Sequence, residues 1–422
     1  MVDTGQWNWE TAELAIDLKP WQERFRWVEE TCISPDGEKI AAVVNLDEGV
    51  FSVCVNGEQW PDTFEKIWHL RFADGGSLIA LVARDGQWTV AVDGKPWDKW
   101  YDYVWNPIYA AGGNSVAVAV QNDMRYCMAR DGKAWDSDFA NMTYFALSQD
   151  GSCTAAAVQV EDVDSGQVHK FQEGVFTAAL EGKAWDRRFV NVWNLAIGPD
   201  NRSLAAEVRL NLYDYTIAVD GRTWPRTYGC VWEPVFNPRT GQVVAPVRVA
   251  GKWILAAEDG PIWNRSFVQL WHQAFDPDGK RLAAIVAPAY GRWTVAVDER
   301  PWDLTFGEMV TDMVFSPDGG RVAALGKDDS RWTVAVDGKA WKGRFDMAWK
   351  PVFSPDGARV AAKVEKDGRY TIAVDDCLWD RWCERAWTPC FSPEGDRLLI
   401  CGVEKGVYHR RVVPVDSIVN PG

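Results

Sequence analysis

Nine cysteines and four histidines are the residues of this 422-residue chain best suited to hold a metal or move a proton. Four of the thiols, Cys377, Cys383, Cys390 and Cys401, fall within 25 residues. Thiols at that density could ligate zinc or an iron–sulfur cluster if the fold brought them to one point. Their spacing matches no such ligand pattern, and no C-x-x-C occurs. Cys390 falls where two similar stretches carry Val314 and Val352, and Cys32 falls at the same place in another. Buried cysteine packs as a small hydrophobe, so these thiols read as core residues. G-x-S-x-G, H-E-x-x-H and G-x-x-x-x-G-K-[ST] are also absent. The expectation is a protein that is not an enzyme and carries no cofactor or metal.

The residue type in excess is tryptophan, with 26 copies, and its spacing exposes the architecture. The stretches Val314–Trp341 and Val352–Trp379 are two clear copies of one unit that recurs ten times. A closing tryptophan marks each copy, at Trp21, Trp60, Trp97, Trp135, Trp185, Trp224, Trp263, Trp302, Trp341 and Trp379, about every 39 residues. Four residues later comes an aromatic, from Phe25 to Phe345, with Cys383 breaking the series. Eight residues later comes a second indole, as at Trp68, Trp105, Trp193, Trp232, Trp271, Trp349 and Trp387. Trp27 reads as the same column with a shorter gap, while Tyr144 and Val310 stand in for it elsewhere. A third column opens the Trp-Thr-Val-Ala-Val segments at Trp88, Trp253, Trp293 and Trp332. Only Trp7, Trp9, Trp100 and Trp382 lie outside these columns, so the others read as packing repeated in every unit.

Each unit reads as four short strands. Ser-Pro-Asp-Gly joins the first two, a second turn leads into a β-branched third strand, and an Asp-Gly turn leads into the fourth. Turn signals every 8–12 residues leave little room for helix. A lone four-stranded sheet cannot bury both faces, whereas sheets stacked radially can. The fold class expected is all-β, a β-propeller of ten repeats in one closed ring. Two smaller propellers, with a seam at the irregular fourth unit, are the alternative. Residues 1–10 read as an extension and 11–422 as the propeller. Glu13–Asp17 resembles a third strand, and the Trp21 segment can supply the fourth strand that the last unit lacks, so that both termini share one blade.

Three places are candidates for recognition. The residue after the second indole forms a polar column, His69, Asn106, Asn194, Glu233, His272, Thr311, Lys350 and Thr388, which would line the channel if its strand is innermost. Trp7 and Trp9 stand in a polar terminus, as partner anchors or folded back on the ring. The fourth unit is longer than the others between about residues 159 and 174, and Glu161, Asp162, Asp164 and His169 there could meet a partner.

The 45 basic against 60 acidic residues leave a net charge of −15, which argues against nucleic acid and anionic lipid and favours a basic partner. Met1–Glu10 shows no secretory signal and no apolar run is long enough for a membrane span, so a cytoplasmic location with reduced thiols is expected.

The FSPDG-x-R-V-A-A unit with its Ile/Val-rich strand resembles the PD40 (WD40-like, TolB-type) propeller repeat over nearly the whole chain. The Val-Asp-Gly-Lys-x-Trp ending and the tryptophan content resemble the tryptophan-rich subunit of the Tmc transmembrane electron-transfer complex of sulfate-reducing bacteria. That second resemblance implies a cytoplasmic accessory subunit, peripheral to the inner membrane through an iron–sulfur subunit and a cytochrome b subunit. A periplasmic multihaem cytochrome c would then lie across the membrane. The function expected is a scaffold for protein interaction. A small-ligand or glycan-binding propeller, or an enzyme with its site at the channel mouth, are the alternatives.

Overall fold

The computed structural model describes residues 4–163 and 167–420. Ten antiparallel sheets, nine of them with their strands in chain order, form a single ten-bladed propeller. First strands of successive blades lie against one another, so they are the inner strands. The two-residue fourth strands lie at the outer rim.

Blade eight shows why the repeat folds this way. Its strands are Met309–Phe315, Val322–Asp328, Arg331–Val336 and Lys339–Ala340. Val322, Ala323, Ala324 and Leu325 are all buried, because a second strand is covered by a neighbouring blade on each side. In the first turn the Ser316 hydroxyl donates to Asp318 and accepts from the Arg321 N–H at 2.9 Å. Gly319 there takes the left-handed conformation at φ +69°. In the next turn the Asp337 carboxylate accepts from the Val322 N–H at 2.9 Å and from Arg321 Nε at 2.8 Å. The same guanidinium donates to the carbonyls of Gly357 and Ala358 in blade nine, at 3.1 and 2.8 Å. The Ser-Pro-Asp-Gly-x-Arg and Val-Asp-Gly motifs therefore tie each blade internally and to the next.

Closing tryptophans sit between blades. A methyl group on Gly94 would come within 3.2 Å of the Trp60 ring, and one on Gly338 equally close to Trp302. Only glycine lets the next blade's turn approach the indole so closely. A buried threonine in the third strand locks the segment: Thr333 Oγ1 donates to the Trp341 carbonyl at 3.1 Å.

Where the termini meet, the expected order changes. Glu13–Asp17 is the outermost strand of blade ten, paired with the third strand Val407–Pro414, and is no third strand itself. The Trp21 segment is the short helix Lys19–Arg24 rather than a strand. Pro20, which lacks an N–H and has a fixed φ, suits the first helical turn. Trp21 is nevertheless buried, packed with Cys54, Leu399 and Tyr408 across the junction of blades ten and one. Two alignments also shift. In blade eight an extra residue moves Thr311, not Val310, opposite Leu325. In blade one Trp27 pairs with Asn45, nearer the hairpin than the second-indole position, which Glu29 occupies.

Candidate interaction face

The two faces of the ring differ. One carries the turns just described; the other carries the hairpins between second and third strands. The second indole opens the inner strand on this hairpin face and packs on the aromatic that opens the third strand. Ring centroids are 4.3 Å apart for Trp68–Trp88, 4.7 Å for Trp271–Trp293 and 5.4 Å for Trp232–Trp253. In blade nine the Lys363 ammonium lies 3.8 Å from the Trp349 ring. Trp27, Trp68, Tyr103, Met124, Tyr144, Tyr213, Trp232 and Tyr290 are all exposed at this face. Away from it, among the described residues, Ile262 and Leu378 on the outer strands are the large apolar side chains left exposed.

The polar column lies on the inner strands. His69, Asn106, Asn194 and His272 share left-handed backbone, φ +54°, +53°, +45° and +49°. Each sits at a bulge where the pairing with the second strand shifts register. Glu233 and Lys350 precede Pro234 and Pro351, and there the strand is interrupted instead. His69, Asn106, His272 and Lys350 are exposed, while Asn194 and Glu233 are half-buried.

Blades five to seven draw several of these together. Asn194 Nδ2 donates to Glu207 Oε2 at 2.8 Å, and the His272 N–H donates to Glu233 Oε1 at 3.3 Å. Glu207 was not among the expected site residues. It stands in the second-strand column that elsewhere holds Val43, Leu81, Ala119, Ile285 and Leu325. That interruption of an apolar column was its only signal in the sequence. Burial pushes its carboxyl up to about 7 against the Asn194 hydrogen bond, which favours the anion, and nearby Glu233 adds to the rise. The adjacent Gln273 amide donates to the Glu233 carbonyl at 2.5 Å.

The terminal indoles lie against blade ten. Trp7 and Trp9 are stacked with centroids 6.2 Å apart, both half-buried, and Arg397 donates to the Trp9 carbonyl at 2.7 Å. The long fourth-blade connection runs between the second and third strands and contains a short helix, Val168–Glu173, where its acidic and turn residues suggested an extended hairpin or loop. Glu161 pairs with Arg188, Asp162 with Arg125 at 3.1 Å, and His169 is exposed. Asp164 lies outside the described residues.

The four clustered cysteines go separate ways. Cys383 is buried, bridged to Tyr370, with its sulfur 3.8 Å from Glu404 Oε1. Cys377 donates to the Val419 carbonyl at 3.8 Å. Burial pushes the thiols of Cys383 and Cys390 up to about 11 and that of Cys401 to about 12. Among the described residues, no three His, Cys, Asp or Glu side chains come together in a way that could hold a metal ion.

No protein-family model and no curated protein matches the chain. Solved structures share its fold at low identity. A eukaryotic initiation factor is 11% identical, covering 80% of this chain and 92% of its own, at a TM-score of 0.48. The Dos1 propeller is 13% identical, covering 74% and 90%, at 0.38. Hydrazine synthase of Kuenenia stuttgartiensis is 15% identical, covering 73% and 95%, at 0.28. Likeness at this level concerns the fold alone.

Proposed function

We propose that this chain is a non-catalytic scaffold that presents its hairpin face to protein partners. The observation that carries the reading is the one-sided distribution of exposed aromatic and apolar side chains. Such residues are the usual anchors of protein interfaces. The opposite face spends its polar groups on its own turns and offers few comparable anchors. Glu161, Asp162 and His169, on the long connection at the same face, are proposed as partner contacts, and Asp164 joins them on its sequence position alone. Trp7 and Trp9 are proposed as a second contact beside blade ten, in an extension of residues 1–10 preceding the 11–422 propeller.

The sequence resemblance to the tryptophan-rich Tmc subunit supports a finer reading. The chain would be an accessory subunit of a membrane-bound electron-transfer complex, held in the cytoplasm beside an iron–sulfur and a cytochrome b subunit. Among the described residues no helix is long and apolar enough to cross a membrane, so membrane association in this reading runs through the partners. Affinity purification from detergent-solubilised native cells, with a visible spectrum of the product, tests it. Stoichiometric recovery with haem or iron–sulfur proteins is expected; recovery as a lone, colourless chain would overturn it.

A second reading has one observation in its favour. Trp68 and Trp232 are exposed at equivalent positions of two blades, as sugar-stacking platforms are. A glycan array on the purified chain distinguishes it: binding lost in Trp68→Ala and Trp232→Ala supports the second reading.

A further inference from the structure

Hairpin tips change character around the ring. Asp47 and Glu48, Asp85, Asp123, Asp329 and Asp367 make the tips of blades one, two, three, eight and nine acidic. Blades five, six and seven instead present Leu212-Tyr213, Ala250-Gly251 and Tyr290-Gly291; the aspartate of the blade-five tip, Asp214, is half-buried and accepts from Asn211 Nδ2 at 2.6 Å. Tyr290 is 93% exposed, Tyr213 75% and Leu212 62%, the largest such exposures on the face apart from Met124. Two tips that leave three large apolar side chains in water have a reason beyond their own fold.

The cations beside these tips are also distinct. Arg248, Lys252 and Arg292 are exposed, and none forms an ion pair among the described residues. Elsewhere on the same face several cations are matched, Arg26 with Asp47 at 2.7 Å, Arg125 with Asp138 at 2.8 Å and Lys327 with Glu308 at 3.2 Å, while Lys366 and Lys405 stand singly beside acidic neighbours in the chain. In a chain of net charge −15, three unmatched cations on two adjacent blades, six and seven, form a local reversal of sign.

The blade-five tip is held in place. Asn211 Oδ1 accepts from the N–H groups of Tyr213 and Asp214 at 2.9 and 3.0 Å. Arg209 donates to the carbonyls of Asn211 and Leu212 at 2.9 and 3.2 Å. Bracing of this kind lowers the ordering cost of binding.

Resting on the scaffold reading, we infer that the blade five-to-seven sector docks an acidic segment of a partner protein. Its carboxylates meet Arg248, Lys252 and Arg292, and its apolar side chains cover Leu212, Tyr213 and Tyr290. A protein segment fits better than an anionic bilayer. A planar membrane would meet the whole face, including the acidic tips of blades one to three, whereas a protein can engage three blades alone.

The test compares the wild-type chain, purified with its native partners, with R248E/K252E/R292E and Y213S/Y290S. K366E/K405E, on blades nine and ten of the same face, serves as the control. All substituted positions are exposed, and unchanged urea midpoints check folding. Both sector variants are expected to lower partner recovery by about tenfold or more, with the control unchanged. Hydrogen exchange in the wild-type assembly should show protection at residues 209–215, 248–252 and 289–292. Full recovery by both variants, with protection elsewhere, overturns the sector and leaves the scaffold reading standing. A wild-type chain that purifies alone overturns both. Binding of the wild type, but not of the triple variant, to vesicles of equimolar phosphatidylserine and phosphatidylcholine would make the sector a lipid surface and overturn the protein partner.

Discussion

Blades eight and nine and blades five to seven are built on one plan, yet they treat the two faces of the ring differently. In blades eight and nine the motif residues have structural partners: Ser354 takes the Arg359 N–H, and Asp375 takes the Val360 N–H and the Arg359 guanidinium. Blades six and seven replace the serine and keep its role, while Asp220 and Asp298 in blades five and seven still take the Leu204 and Leu282 N–H groups. Asn237 replaces the serine and accepts from the N–H groups of Arg239 and Thr240; Asp276 does the same for Lys280 and Arg281. On the hairpin face no such compensation occurs. Glu207 enters a column that is apolar in most blades, where blade nine has Lys363 stacked on Trp349 instead, and the tips of blades five and seven present exposed tyrosines. Turn chemistry is dictated by closing the blade, so it varies only between equivalents. Hairpin tips carry no such duty, and departures there bear on what the protein meets.

The comparison makes its largest prediction about tryptophan. Trp341 is buried between blades, so Trp341→Ala should cost about 3–5 kcal/mol in urea denaturation. Trp232 in the irregular sector is exposed over a third of its surface, and Trp232→Ala should cost roughly 1 kcal/mol. Equal losses would erase the distinction between packing indoles and presented ones.

Glu207 provides the next effect, with a sign opposite to most substitutions. Its carboxyl is raised from 4.5 to about 7 by burial, so the folded chain disfavours the anion. The contribution of Glu207 to stability is therefore fullest below about pH 4.5, falls as pH rises toward 7, and stays low above it. Glu207→Gln keeps an acceptor for Asn194 and removes the charge. It should raise stability by roughly 3 kcal/mol above pH 7 and leave it unchanged in acid. A variant with the same pH profile as the wild type would show that Glu207 is not the source.

How far the sequence foretold all this depends on whether a feature recurs. The closing indoles and the apolar second strand recur around the chain, with Ser-Pro-Asp-Gly or a variant of it in most units, so periodicity exposed ten repeats, and regular spacing favoured one ring over two smaller propellers. Features that occur once escaped. Glu13–Asp17 joins blade ten only because Val407–Pro414, some 390 residues away in the chain, presents an unpaired edge. Pro20 turned the next segment helical against the pattern of its column. Glu207 looked like one charge among sixty until its neighbours were known. The polar column was visible, but its left-handed backbone at His69, Asn106, Asn194 and His272 was not, because it arises from pairing with the second strand. Exposure at the hairpin tips likewise had no signal beyond the missing aspartates.

A smaller, shared effect checks that the two regions have the same frame. Thr333 in blade eight and Thr216 in blade five each donate a buried hydroxyl, to the carbonyls of Trp341 and Arg226 at 3.1 and 2.8 Å. Replacing either by valine removes a buried hydrogen bond, although Arg344 still donates to the Trp341 carbonyl, and each should cost about 1 kcal/mol by urea midpoint. Similar losses would place the regional difference in the hairpin face rather than in the blades beneath it.

Tyr290 should show the least effect on stability, and that smallness sharpens the comparison most. Its side chain is almost wholly in water, at the tip of a hairpin closed by Gly291 at φ +61°. Folding therefore gains almost nothing from the ring, and Tyr290→Ser should move the urea midpoint by less than about 0.5 kcal/mol. A large loss would mean the tyrosine supports its hairpin, returning it to the class of Trp341. An unchanged midpoint leaves a large aromatic held in solvent with no structural task, in the same sector as Leu212 and Tyr213, which is the condition a docking anchor meets.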